Sequence, residues 1–77
     1  MDIHISLRLF ASLSERMPEN PDRFSVPTGA TVGEVLSSLG IAGDDARLVF
    51  VNNRRVASTL VLKDGDRLGV FPPVGGG

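Results

Sequence analysis

Between Asp2 and Leu9 the apolar residues Ile3, Ile5, Leu7 and Leu9 alternate without a break with Asp2, His4, Ser6 and Arg8. A period of two sends the two sets to opposite faces of a strand, so this stretch predicts a β-strand with one face on a core. In the next segment, Phe10 to Met17, Phe10, Leu13 and Met17 recur at spacings of three and four, which predicts a short helix, and Pro18 and Pro21 end it in a loop. Phe24 and Val26 alternate with Arg23 and Ser25 before Pro27. That pattern predicts a second short strand returning beside the first, a β-hairpin with a long connection.

Thr31 stands before Val32 with Glu34 three residues on, the spacing of a capping box, in which hydroxyl and carboxylate satisfy free amides at a helix start. Val32, Val35, Leu36 and Leu39 then form one apolar stripe, and Gly40 supplies the stop, so the main helix is placed here. Leu48 to Val51 is a continuous apolar run suited to a central strand. Asn52-Asn53 follows it, and asparagine tolerates positive φ, which predicts a tight turn into Arg55-Val56-Ala57. Leu60 to Leu62 is an apolar connector, Asp64-Gly65-Asp66 a turn, and Arg67 to Phe71 the last strand, with Leu68 and Val70 on one face and Gly69 and Phe71 on the other.

The predicted order is strand, strand, helix, strand, strand, strand. Hairpins on either side of a crossover helix make an α+β domain of the β-grasp kind, a mixed five-stranded sheet with one main helix across one face. The domain is placed at residues 1–73, followed by a flexible tail at 74–77. If the first and last strands pair in parallel at the centre, the chain leaves the sheet at Pro72-Pro73 and the tail points away from the body.

A chain of 77 residues buries only roughly 60% of the surface it exposes when unfolded, which allows one modest core and little room for an enclosed catalytic pocket. There is no cysteine, so disulfides, thiolate metal sites and cysteine nucleophiles are excluded, and the composition fits a reducing, cytoplasmic setting. The apolar stretch near the start is interrupted by polar residues, which predicts neither a membrane span nor a signal peptide. Eight basic and nine acidic residues leave a net charge of -1, and the longest basic run is Arg54-Arg55, so no nucleic-acid partner is expected. Lys63, the single lysine, falls in a turn and is expected to be solvated. His4 alternates outward with no second histidine, so no metal site is expected; Asp44-Asp45 and the Asp64/Asp66 pair are assigned helix-entry and turn roles.

What remains unexplained is the C-terminal run. Pro72-Pro73 lacks amide hydrogens and favours a stiff, extended exit; Val74 is a last apolar handle, and Gly75-Gly76-Gly77 has no side chain at all. Three such residues can thread a channel too narrow for any other, and ordering them costs so much entropy that the arrangement makes sense only with a reader. Leu9-Phe10-Ala11-Ser12-Leu13, Thr31-Val32-Gly33-Glu34-Val35-Leu36, Val51-Asn52 and the run from Asp64-Gly65-Asp66 through Phe71-Pro72-Pro73-Val74-Gly75-Gly76-Gly77 resemble the MoaD/ThiS family of ubiquitin-like sulfur carriers. The branch most resembled is MoaD, the small subunit of molybdopterin synthase, and the resemblance covers essentially the whole chain.

The resemblance implies a carrier without an active site of its own. A terminal carboxylate has a reference pKa of about 3.3 to 3.7, so at neutral pH it is an anion and a poor electrophile. The family pattern implies that an E1-like adenylating enzyme of the MoeB/ThiF type joins the carboxylate of Gly77 to AMP, using ATP and Mg²⁺ that this chain does not itself bind. A sulfur donor enzyme then supplies a persulfide and leaves a thiocarboxylate, and a large synthase subunit of the MoaE type receives the tail for molybdenum or tungsten cofactor synthesis. Phe10, Phe71, Pro72, Pro73, Val74, Gly75 and Gly76 are the implied partner contacts. For Phe10 and Phe71 the structural alternative is that they cover a second small core beneath the Phe10 to Met17 segment. Arg54 and Arg55 depart from the neutral or apolar residues common in the family. Beside the molybdopterin role stand delivery of sulfur to thiamine thiazole or another metabolite, conjugation to target lysines as a protein modifier, and a plain interaction module.

Overall fold

The computed structural model describes residues 1–41 and 46–72. Its strands are β1 (Asp2–Leu9), β2 (Phe24–Pro27), β3 (Leu48–Val51), β4 (Arg54–Arg55) and β5 (Arg67–Phe71), with one α-helix, α1 (Val32–Ser38), between β2 and β3. They form one sheet in the order β2-β1-β5-β3-β4, in which β1 and β5 are parallel and every other neighbouring pair antiparallel. This is the β-grasp arrangement expected from the strand and helix order, with the first and last strands side by side at the centre.

The alternation in β1 does what a period of two requires. Ile5, Leu7 and Leu9 are buried together with Leu68 and Val70 of β5 and Val49 and Val51 of β3, and α1 adds Val32, Val35 and Leu36 to the same cluster. Leu7, Val32, Leu68 and Val70 have no exposed surface, so the centre of the core is the β1–β5 pair beneath the helix.

α1 has seven residues, too short to persist without help at its ends. All four amides of its first turn are satisfied: Val32 N–H donates to the Leu60 carbonyl (3.0 Å), Gly33 N–H to Ser58 (2.9 Å), Glu34 N–H to Thr31 Oγ1 (3.2 Å) and Val35 N–H to the Thr31 carbonyl (3.1 Å). Glu34 Oε1 in turn accepts from the Thr31 N–H at 3.0 Å, closing the predicted capping box. At the other end Gly40 takes φ 77°, Ile41 N–H donates to Leu36 and Gly40 N–H to Ser37. This is a Schellman closure that also buries Ile41. The 52–53 turn is equally local in origin, with φ 53° at Asn52 and 68° at Asn53, the two positive values of a type I′ hairpin.

One expectation is corrected and two are made more definite. The short helix expected from Phe10 to Met17 is a 3₁₀ helix over Ala11–Arg16, and Leu13 is its one buried residue. Apolar spacings of three and four do not separate the two helix types when a single side chain anchors the segment. The strand expected at Arg55-Val56-Ala57 is the two-residue β4 at Arg54–Arg55, because the I′ turn lets pairing begin next to Asn53. β3 is an interior strand between β5 and the edge strand β4: Val49 and Val51 are buried, while Leu48 and Phe50 are half-buried on the other face. The division into a domain at 1–73 and a flexible tail at 74–77 concerns residues that in part lie outside those described, as do Asp44 and Asp45.

Leu36 is 4% exposed and serves both the helix stripe and the Schellman closure. Leu36→Ala is expected to lower unfolding stability by about 2 to 5 kcal/mol, and Thr31→Ala by about 1 kcal/mol, in urea titrations followed by circular dichroism.

Candidate functional site: the outer face of the sheet

The face of the sheet turned away from α1 has no second layer among the described residues, so whatever β1, β5 and β3 place there meets solvent. The register fixes what stands together. Arg8 lies beside Gly69, Gly69 beside Phe50 and Phe50 beside Arg55, making one row across four strands; Leu48 stands opposite Phe71 in the next. Phe10 prolongs β1, extended at φ -106° and ψ 156°, with its N–H donating to the Val70 carbonyl at 3.1 Å.

Phe10 and Phe71 meet as near-parallel rings with centroids 4.2 Å apart, and Phe50 meets Phe71 edge-on at 5.8 Å. Such pairs add to burial through quadrupole complementarity, yet Phe10 remains 40% and Phe71 36% exposed. The alternative that they cover a second small core is not what is seen, because the 3₁₀ segment sends Leu13 into the main core instead. The two aromatics picked out in the sequence are thus together. The third, Phe50, was hidden in the apolar run of β3, and its signal was its parity with Leu48 against Val49 and Val51.

Beside the rings is an open groove of about 500 Å³ with Gly69 at its floor and Arg8, Arg67 and Asn53 on its border. Gly69 does not have positive φ, and a Cβ placed there would meet only Phe10 Cε2, at 3.8 Å, an ordinary contact. The fold therefore does not demand glycine at 69.

The charged residues lining the groove are Arg8 and Arg67. Arg8 pairs with Asp22 at 2.9 Å, an exposed bridge and the only one among the described residues. The Asp66 carboxylate is engaged by Asn52 Nδ2 (3.0 Å) and the Lys63 N–H (2.8 Å), and Asp64 Oδ1 accepts from the His4 N–H (2.9 Å). The turn roles expected of Asp64 and Asp66 are thereby seen directly. Among the described residues no group of three or more His, Asp or Glu side chains is placed to hold a metal ion, and no helix is long and apolar enough to cross a membrane.

Pro72, half-buried, follows Phe71 at the end of β5. Pro73, Val74, Gly75, Gly76 and Gly77, and with them the expected direction of the tail, lie outside the described residues. The position at which the chain enters that run is fixed: it leaves the sheet from the strand that carries Phe71.

A family model described as the ThiS family matches residues 7–77. The chain belongs to the ThiS family. With its β-grasp sheet it is thus one of the ubiquitin-like sulfur carriers and modifiers. It is similar to Small archaeal modifier protein 3 of Haloferax volcanii, 36% identical over 92 aligned positions that take in 97% of this chain and 100% of the relative. The solution structure of the Haloferax volcanii HVO 2177 protein superimposes with a TM-score of 0.77 at 34% identity, covering 99% of this chain and 88% of that one. A putative molybdopterin converting factor, subunit 1, from Pyrococcus furiosus gives 0.67 at 28% identity, covering 94% of this ThiS-family chain and 99% of the other.

Because a strand-interior glycine loses more freedom on folding than alanine and no contact compensates here, Gly69→Ala is expected to raise unfolding stability by about 0.5 to 1 kcal/mol. A urea titration measures this, and a loss of stability would mean that the backbone at Gly69 is strained after all.

Proposed function

We infer that this chain is a carrier whose Gly77 carboxylate is activated by a partner and passed on, foremost as a protein modifier joined to lysine side chains. The observation that carries the choice is the 36% likeness to a small archaeal modifier protein along nearly the whole length of both chains. It gives conjugation, one of the alternatives raised by the sequence, more weight than the molybdopterin role.

Both roles share a first step. A carboxylate oxygen of Gly77 attacks the α-phosphorus of ATP, pyrophosphate leaves with Mg²⁺ assisting, and the resulting acyl-adenylate turns an inert anion into an electrophile. For a modifier, a lysine amine then forms the new C–N bond, AMP departs and the amine gives up a proton. For a sulfur carrier, the terminal sulfur of a donor enzyme's persulfide displaces AMP. A thiol then opens the acyl disulfide, becoming part of a new disulfide and leaving the thiocarboxylate. The catalytic groups belong to the activating enzyme and the donor. This chain contributes the side-chain-free run Gly75-Gly76-Gly77, the Pro72-Pro73-Val74 lead-in, and Phe10 and Phe71 as the contacts nearest the end of β5.

The second reading, sulfur supply to a pterin precursor through a large synthase subunit, is favoured by the likeness to the Pyrococcus furiosus protein. Mass spectrometry of the protein from its own cells distinguishes them. Tail remnants in isopeptide linkage to lysines are expected for the modifier, and a mass gain equal to one oxygen replaced by sulfur for the carrier. Incubated with ATP, Mg²⁺ and the adenylating enzyme of the same organism, the chain is expected to gain AMP at Gly77. Deleting Gly76 and Gly77 is expected to abolish that adduct with no change in melting temperature; an unmodified terminus with every candidate enzyme refutes activation.

A further inference from the structure

The side of the sheet that carries α1 is not sealed across its whole width. α1 is tied down at both ends: Gly33 N–H donates to the Ser58 carbonyl at 2.9 Å, and Ile41 N–H closes the far end on Leu36 at 2.9 Å. A Cβ at position 33 would come within 3.3 Å of that same Ser58 oxygen, so glycine is what lets the start of the helix lie directly on the following loop. Between these two ties the flank of α1 towards β3 and β4 is left open. A cleft of about 450 Å³ runs there, with Leu36 and Ser37 of α1 on one side and Val49, Val56 and Ser58 on the other.

The floor of the cleft is aliphatic and its border cationic. Leu36, Ile41 and Val49 are buried beneath it, and Val56 is half-buried at its side. Arg47 and Arg55 are the charged residues that line it; both are exposed, and neither forms a salt bridge among the described residues. Arg47 is already part of the sheet, since its N–H donates to the Phe71 carbonyl at 2.9 Å, and its parity with Val49 puts it on the helix side. Arg54, opposite Val51, adds positive charge to the same side. The carboxylate of Glu34, on α1, is turned back into the capping box, where Oε1 accepts from the Thr31 N–H and hydroxyl. On a chain with a net charge of -1, this border is a local concentration of one sign.

Those features narrow the occupant. An aliphatic floor beside guanidinium groups suits a segment that carries carboxylates on either side of an aliphatic anchor. A second copy presenting the same cleft would set arginine against arginine. Nucleic acid is disfavoured, because no aromatic ring lines the cleft for a base to stack on.

We propose that this cleft is a docking site for an acidic peptide segment of a partner protein, with an aliphatic side chain seated over Leu36 and Val49 and carboxylates facing Arg47 and Arg55. The cleft and the Phe10–Phe71 stack lie on opposite sides of the sheet, so a partner held here leaves the end of β5 open to another. The proposal goes beyond the carrier reading and does not depend on the chemistry at Gly77.

The test titrates a fluorescein-labelled peptide, Asp-Glu-Ile-Leu-Asp-Glu, with the full chain, reading anisotropy for affinity and ¹⁵N amide shifts for location. Saturable binding is expected, with shifts at Ser37, Val49 and Val56 and none at Phe10 or Phe71. Arg47→Glu is expected to weaken binding about tenfold at low salt, while Arg67→Glu, with the same change in net charge on the outer face, leaves it within about twofold. Ser37→Trp, which fills the cleft from an exposed position, is expected to weaken binding about tenfold with the melting temperature unchanged. A peptide with Gly-Gly in place of Ile-Leu is expected to bind about tenfold more weakly than the parent. Affinity for the parent peptide is expected to fall between about 0.01 M and about 1 M ionic strength.

Equal losses for Arg47→Glu and Arg67→Glu overturn the proposal, as do equal affinities for the two peptides, shifts confined to Phe10 and Phe71, or no saturable binding. Tighter binding of a single-stranded RNA oligonucleotide than of the acidic peptide overturns it too. AMP transfer to Gly77 of the wild-type chain is measured separately: its absence sinks the carrier reading and leaves the cleft standing, and its presence does not rescue a cleft that binds nothing.

Discussion

Because β1 and β5 run parallel, no tight turn can join them, and residues 10 to 66 have to be laid out as hairpins and a helix around that one pairing. The pair holds the most completely buried side chains of the sheet, Leu7, Leu68 and Val70, so the strand that closes the domain is also the strand that seals its core. Its direction has a further effect. Parallel strands end at the same edge, and there Phe10, one residue beyond β1, meets Phe71, the last residue of β5. The chain therefore leaves the sheet beside an aromatic surface, and any partner that receives residues after Pro72 has that surface within reach.

Elements whose cause is local were legible from residues alone. The alternation of β1, the Thr31–Glu34 capping box, the stop at Gly40 and the Asn52-Asn53 turn each depend on neighbours within a few positions, and each has the expected geometry. Elements whose state depends on distant cover were not. The run Leu48-Val49-Phe50-Val51 reads as an interior strand, but whether its outer face is covered depends on a second layer that a sequence window cannot contain. The same gap hid Phe50 from the list of surface aromatics, and hid Arg67, which looks like any solvated residue at a strand start until the register sets it beside Ser6 and next to the groove. The type of helix at Ala11–Arg16 escaped for a related reason, since a single anchoring leucine leaves the winding to its surroundings.

Helix α1 explains why an outer face exists. Seven residues rise only about 10 Å, enough to seal the central strands from one side and no more. The other side is polar along β1, where His4, Ser6 and Arg8 alternate outward, and becomes aromatic only towards the end from which the tail departs. An uncovered sheet face made stable chiefly by polar residues, yet turning apolar at one end, is graded along its strands. The gradient points at the residues that follow Pro72.

Charge follows the same grading. Among the described carboxylates, Asp2 is tied to Ser25, Asp64 to the His4 amide, and Asp66 to Asn52 and Lys63, at the margins where strands begin or turn. None of these is left to neutralise Arg55 or Arg67. Had solubility been the sole requirement, lysine or glutamate at those positions would serve equally; a planar guanidinium beside an aromatic cluster differs because it is weakly hydrated and can bind a carboxylate through two parallel hydrogen bonds. Gly75-Gly76-Gly77 carries no side chain, whereas the sheet face on which β5 ends carries Phe10, Phe50 and Phe71 in one aromatic group.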